Sequence, residues 1–253
     1  MSKIYLINVG ANTAHTSQAR GAIHPDGSFV YVSFPEDGCG QHYPVEAQQH
    51  VKNGDAQLTH LDPDWDRLSY GDNCANPRAR ALGNVVPGDW LLYWALLWSV
   101  PDKKSSALGS NAKGWYLIGA LKVSHVLSSG ASLAELPSRL QVRAKFNAHV
   151  EQERRVEGRP MARVFLSDEA VSLRFNRAVD LGIGRAESLL QQVVLAADGR
   201  RLGWNSKPKW NSSTRACRAI LNLDSEGDRE RITTLEKAIK VENPMFAGFL
   251  SPK

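Results

Sequence analysis

The residues of this chain best equipped for chemistry fall in one short stretch, His60-Leu-Asp62-Pro-Asp64-Trp-Asp66, followed closely by Tyr70-Gly-Asp72-Asn73. Carboxylates gathered round a histidine can activate water, stabilise a cationic transition state or hold a divalent metal. Their crowding also lifts one pKa toward the range of a general acid. Asp62, Asp64 and His60 are therefore the candidate catalytic groups. A solvated acidic loop, in which Asp62 and Asp72 cap turns, accounts for the same residues. The spacing matches neither the calcium-binding loop nor the zinc-binding helix motif, so no metal is assigned.

Four other constellations could serve a substrate. Asn8-Val-Gly-Ala-Asn12-Thr-Ala-His15 leaves a strand and enters a loop of small residues. There a substrate can approach the backbone while Asn8, Asn12 and His15 read its polar edges. Asn76-Pro-Arg78-Ala-Arg80 could clamp a phosphate beside the acidic loop or neutralise its aspartates. Arg143-Ala-Lys145-Phe-Asn147-Ala-His149, with Arg154, Arg155, Arg159 and Arg163 behind it, forms a polar wall if extended and scatters if helical. Lastly, Trp204 and Trp210 share a stretch with Lys207, Pro208, Lys209, Arg215 and Arg218, a mixture suited to stacking on bases and neutralising phosphates. Half-buried tryptophans anchoring a loop are the plainer account of that stretch.

These groups need a scaffold. Residues 3–9 and 28–34 read as strands of an opening hairpin-like unit, with an Asp26-Gly27 turn before the second and a long polar crossing over 11–25. Residues 44–52 suggest a short helix. Residues 88–98 and 115–126 read as two strong strands joined by the Ser/Gly/Lys-rich stretch 101–114, a long antiparallel hairpin at the core. Beyond residue 133 helices should dominate: 185–197 is amphipathic, Ser212 or Ser213 caps a helix running to 223, and 228–241 makes another. The expected architecture is α+β, a single domain over 1–253 with a mixed, partly curled β-sheet and flanking C-terminal helices. If it divides, the boundary separates a strand-rich half over 1–130 from a basic helical half over 131–253.

Thirty-one Lys and Arg against twenty-six Asp and Glu give a formal charge of +5, a weak signal in itself. The distribution is more telling: acids crowd the first hundred residues, and 139–163 and 200–218 are cationic, so one side should be basic. The apolar run over 90–100 is about half of the ~20 residues a membrane-spanning helix needs. With no charged leader before an apolar stretch, a cytoplasmic location is expected. Cys39, Cys74 and Cys217 are odd in number and far apart, which argues for reduced thiols over a disulfide framework.

Several strings in order, Ile4 to Gly10 with Asn12, His24 to Glu36, His60-Leu-Asp62-Pro-Asp64, Asn76-Pro-Arg78, Gly88-Asp89-Trp-Leu-Leu-Tyr93 and Tyr116-Leu-Ile-Gly119, resemble the nucleotide-modification-associated domain family over roughly the first 150 residues. Those proteins are linked to hypermodified bases in bacterial and phage DNA. The resemblance implies double-stranded DNA carrying modified bases as the partner, with no cofactor and no obligate protein partner. One implied activity is a DNA glycosylase that flips out a modified, for example glycosylated, pyrimidine and excises it. Asp62 or Asp64 would then stabilise the sugar cation and activate water, with His60 as orienter or acid. Asn8 and Asn12 would read the base, and Trp210 would fill the gap. Gly88-Asp89 and the Tyr116-Leu-Ile-Gly119 strand also look like the barrel hairpin of PUA-like domains, which bind flipped bases without cutting them. An enzyme that adds a group to a base or nucleotide is the third reading.

Overall fold

The computed structural model describes residues 1–11, 18–36, 40–54, 57–100, 112–128, 130–155, 163–182, 188–194 and 217–250. In chain order the elements are β1 (Lys3–Asn8), β2 (Gly21–Ile23), β3 (Phe29–Val30), β4 (Gln41–His42), α1 (Val45–Gln48), β5 (Leu58–Thr59), β6 (Ser69–Asp72), β7 (Trp90–Ser99) and β8 (Lys113–Leu127). They continue with α2 (Ser138–Lys145), α3 (Ala148–Arg155), β9 (Arg163–Ser167), β10 (Leu173–Asp180), α4 (Leu189–Val194), β11 (Arg218–Asn222) and α5 (Arg229–Glu242).

The fold grows from the β7–β8 hairpin. Its first strand, Trp-Leu-Leu-Tyr-Trp-Ala-Leu-Leu-Trp-Ser, is buried at every position but the last, so it carries no polar alternation: both faces are covered. Residues 90–94 of β7 pair in parallel with β1, and 97–99 pair in parallel with β2. Its other edge runs antiparallel to β8 from Trp90↔Lys122 to Trp98↔Lys113. The long β8 then bends, offering its far edge to β10 near Gly119 and to β9 beyond Val123, with a register irregularity at each contact. Such irregularities concentrate twist. The result is a mixed, curled half-barrel whose main path runs β11-β1-β7-β8-β9-β6, while β4 and β5 form a separate ribbon.

The two faces of β7 have different partners. Trp90 meets Phe246 and Phe249 beyond α5, at ring distances of 5.9 and 5.1 Å, and Leu6 and Leu92 line an apolar contact with residues of α4 and α5. Tyr93 points the other way, into an aromatic cluster with Trp65 and Tyr70 at 5.4 and 5.3 Å. Trp65 thereby anchors the acidic loop on the sheet, where its ring lies over Gly119.

Three expectations are corrected and one open alternative is resolved. β1 does not form a hairpin with the second strand; it lies between β11 and β7, and β3 pairs with β2 across the Asp26-Gly27 turn. The C-terminal half is not mainly helical, since β9, β10 and β11 complete the sheet. Residues 218–222, expected in a helix, form β11 because Ile220 and Leu221 are needed against β1 and tertiary pairing overrides a weak local preference. Residues 143–149 are helical at both ends, in α2 and α3, with a break at 146–147, so the polar wall does not form. Among the described residues no helix is long and apolar enough to cross a membrane.

Alanine at position 119 would drive a methyl group into the Trp65 ring and to 2.9 Å from the Leu173 carbonyl oxygen. Gly119→Ala should therefore lower stability by about 1–3 kcal/mol, checked by urea denaturation. An unchanged midpoint would show that the acidic loop is not seated on the sheet in this way.

Candidate functional site

The acidic loop enters from β5, passes a cis Asp62-Pro63 bond and leaves into β6, with Asp64 and Ser69 bridging its neck. Asp62 is turned inward and is 4% exposed. Its Oδ1 accepts the Gly71 backbone N–H at 3.0 Å and the Asn147 amide at 3.1 Å. Oδ2 faces two imidazoles, 2.6 Å from His60 Nε2 and 3.1 Å from His149 Nε2, and those two nitrogens lie 3.0 Å apart. No donor is aligned on Oδ2 as a hydrogen bond. Behind His60, its Nδ1 makes a short contact with the Glu36 carboxylate. The partner of Nδ1 sets the tautomer, so a neutral His60 presents the Nε2 lone pair to the centre.

Each member is held by a different element. Tyr31, just after β3, donates its hydroxyl to the Asp62 carbonyl oxygen at 2.6 Å, while Phe34 stacks on His60 at 5.6 Å. Asn147, fully buried at the break between α2 and α3, bridges Asp62 and the Ser69 hydroxyl, and its side-chain oxygen receives the His149 N–H at 3.1 Å. Position 71 is necessarily glycine, because a Cβ there would strike the His149 ring and come within 2.9 Å of Asn147 Oδ1.

The electrostatics are those of a buried ion cluster. Burial is the largest influence on both Asp62 and His60 and disfavours their charges, but the surrounding charges and hydrogen bonds together outweigh it. His60 is pushed up to about 10 by Asp62 and Glu36 against its burial. Asp62 is held far below the usual carboxylate range by His60 and His149, also against burial. Nearby Asp72 moves the other way, raised by burial even though the Tyr70 hydroxyl donates to it at 2.7 Å. The three converging atoms of His60, Asp62 and His149 could also hold a metal ion.

The structure distributes the candidate residues unevenly. His60 and Asp62 meet, and Asn147 and His149, expected to bind substrate, join them as partners of Asp62. Asp64 is turned away from this centre. Its carboxylate caps the turn at the Asp66 and Arg67 N–H groups and pairs with the Arg67 guanidinium at 2.8 Å. Arg143, expected on phosphate, is a buried clamp donating to the carbonyls of Arg67, Leu68 and Ser167 and to Glu169. Arg163 likewise donates to the carbonyls of Leu82, Gly83 and Val85. Arg78 and Lys145 are exposed, and Asn8 ends β1 with a buried amide nitrogen that has no hydrogen-bond partner. Asn12, His15, Trp204, Lys207, Lys209, Trp210 and Arg215 lie outside the described residues.

Sequence reasoning missed the roles of Glu36, Ser69, Gly71 and Phe34. Nothing local marks Glu36 as a histidine partner. The one available signal was Gly71 between two polar strand residues, since glycine inside a strand often marks a close approach.

A family model described as nucleotide modification associated domain 3 matches residues 3–232. No curated protein and no solved structure matches the chain.

Replacing Arg143 by methionine should cost about 1–3 kcal/mol of stability, because three carbonyl oxygens and Glu169 lose a donor. If the chain binds DNA as the sequence leads one to expect, the salt dependence of that binding should be unchanged by this substitution. A shallower salt slope with intact stability would return Arg143 to the phosphate-contacting role.

Proposed function

The chain belongs to the nucleotide modification associated domain 3 family, and from that premise we propose that it is an enzyme acting on hypermodified bases in DNA. In this reading it is a glycosylase that excises a modified pyrimidine and leaves an abasic site. The observation that carries the reading is the convergence of His60, Asp62 and His149 on one point, with Glu36 and Asn147 bracing them from behind. A site that only bound a base would gain nothing from a buried carboxylate facing two imidazoles at ion-pair distance, whereas water activation needs it.

The chemistry follows from the charges. Cleavage of an N-glycosidic bond builds positive charge on the sugar, which a fixed anion such as Asp62 stabilises. Water oriented at the His149–Asp62 edge gives up a proton there as its oxygen adds to the anomeric carbon. The bond to the base breaks, its electron pair leaves with the base, and the base takes up the proton. His149, with its side chain 15% exposed, is the most accessible of the three groups.

The nucleotide must leave the stack to reach this centre, and aromatic surfaces favour that. Among the described residues two aromatic side chains are unusually exposed, Phe34 at 36% and Phe146 at 43%. Phe34 lies on His60, and Phe146 directly precedes Asn147 with the Arg67 guanidinium 4.7 Å over its ring. Both are candidates for stacking on an extruded base, supplementing the tryptophans outside the described residues.

Incubating the protein with unmodified and hypermodified phage DNA, followed by alkali treatment and mass spectrometry of the released bases, tests this reading. Expected are free modified base and alkali-labile breaks from the modified DNA alone. Asp62→Asn should abolish both, Asp64→Asn should lower stability with the chemistry retained, and Gly71→Ala should cost about 100-fold in rate by displacing His149. An altered base that stays attached would replace excision with base modification. Binding without product, unaffected by Asp62→Asn, would make the chain a reader.

Phe34→Ala and Phe146→Ala should each weaken binding of an extruded base by about 1–3 kcal/mol, measured by titration with modified DNA. Unchanged affinity in both would remove them from the binding surface.

A further inference from the structure

We propose that His60, Asp62 and His149 bind one six-coordinate divalent cation of the manganese, iron or cobalt type, on one face of its coordination sphere. The role given below to its bound water rests on the excision reading; the binding itself does not.

Three features carry the proposal. The donor atoms His60 Nε2, Asp62 Oδ2 and His149 Nε2 are separated by 2.6, 3.0 and 3.1 Å. Ligands about 2.1 Å from a common ion stand roughly 3.0 Å apart at right angles and roughly 3.4 Å apart at tetrahedral angles, so this spacing fits the face of an octahedron. Next, Asp62 Oδ2 is buried with no aligned donor although two nitrogens lie within 3.1 Å. A metal cation where the three atoms converge would take the place of the proton that otherwise sits between the imidazoles and this oxygen, with both histidines then serving as neutral ligands. Lastly, the outer partners are those of a metal site: Glu36 on His60 Nδ1, and Gly71 N–H with the Asn147 amide on Asp62 Oδ1. Such partners fix the tautomer and aim the free lone pair at the ion.

Two histidines and one carboxylate leave three coordination positions open for water and substrate. A divalent cation lowers the pKa of a bound water toward neutrality. With the cation bound, its hydroxide would replace the water activated at the His149–Asp62 edge: it would add to the anomeric carbon, the C–N bond would break with its electron pair going to the base, and the base would collect the proton lost by the water. His60 and Asp62 sit two residues apart on the loop, while His149 closes the set from 89 residues beyond His60.

Full-length protein is stripped with a chelator, desalted and titrated with Mn2+ and Co2+ by calorimetry, with the visible spectrum of the Co2+ form recorded. Expected are one cation per chain, the weak visible absorption of six-coordinate cobalt and a higher Tm with metal. His149→Gln should weaken binding at least 100-fold, and Glu36→Gln by about 10–100-fold, each with a smaller Tm rise at the same metal concentration. Because His149 lies at the rim, its variant keeps the test open even if Asp62→Asn fails to fold. No binding, binding unaffected by His149→Gln, or the intense absorption of tetrahedral cobalt would each overturn the proposal. Base release that persists in metal-free protein overturns the role of the metal while excision stands. A bound metal without base release overturns excision while the metal site stands.

Discussion

The placing of one ionised carboxylate away from water is the constraint that orders this half of the molecule. An isolated charge buried like that of Asp62 costs several kcal/mol, so it persists only where donors and counter-charges surround it. The chain supplies them from separate segments: the N–H of Gly71 on β6, the amide of Asn147 at the α2–α3 break, and the imidazoles of His60 and His149. Tyr31 holds the loop by its backbone, so the segment after β3 is fastened to the same point. The absence of a side chain at position 71 follows from the same demand, since the His149 ring occupies that space.

Such a cluster needs a stiff support, and the aromatic packing beneath it provides one. Trp65, in the loop itself, stands edge-on to Tyr31 and Tyr93, and Tyr70 continues the contact to Phe165 on β9. The loop is thereby keyed to β7 and β9 by interlocking rings, whose edge-to-face contacts add directional energy to area burial. β7 can serve this side because its opposite face is satisfied independently by α4, α5 and the two phenylalanines beyond α5. The fully apolar strand is thus the partition between a structural layer and a chemical one.

Positive charge is divided between interior and surface. Arg143 and Arg163 act as staples, each donating to several backbone carbonyl groups at once. Guanidinium groups suit this work because their several N–H donors are fixed in one plane. Counting arginines along 139–163 therefore overstates the positive charge left on the surface. Lys145 and Arg78 remain on the surface, and the exposed Phe34 and Phe146 belong to segments that also carry site residues.

What the sequence determined by itself was whatever depends on neighbours along the chain. The β7–β8 hairpin was legible because unbroken apolar runs separated by a polar stretch have few other uses, and α5 because its apolar residues recur at helical spacing. The chemical importance of His60 and Asp62 was legible because they lie two residues apart. Tertiary structure decided the rest. It turned Asp62 toward the imidazoles while Asp64 caps its own turn and pairs with Arg67, brought Asn147 and His149 to the Asp62 carboxylate and Glu36 to His60, and drew residues 218–222 into a strand on the edge of β1. The physical reason is the same in each case. Periodicity and turn chemistry are short-range properties written in adjacent residues, whereas the partner of a buried charge is chosen by where the folded sheet happens to bring distant segments together.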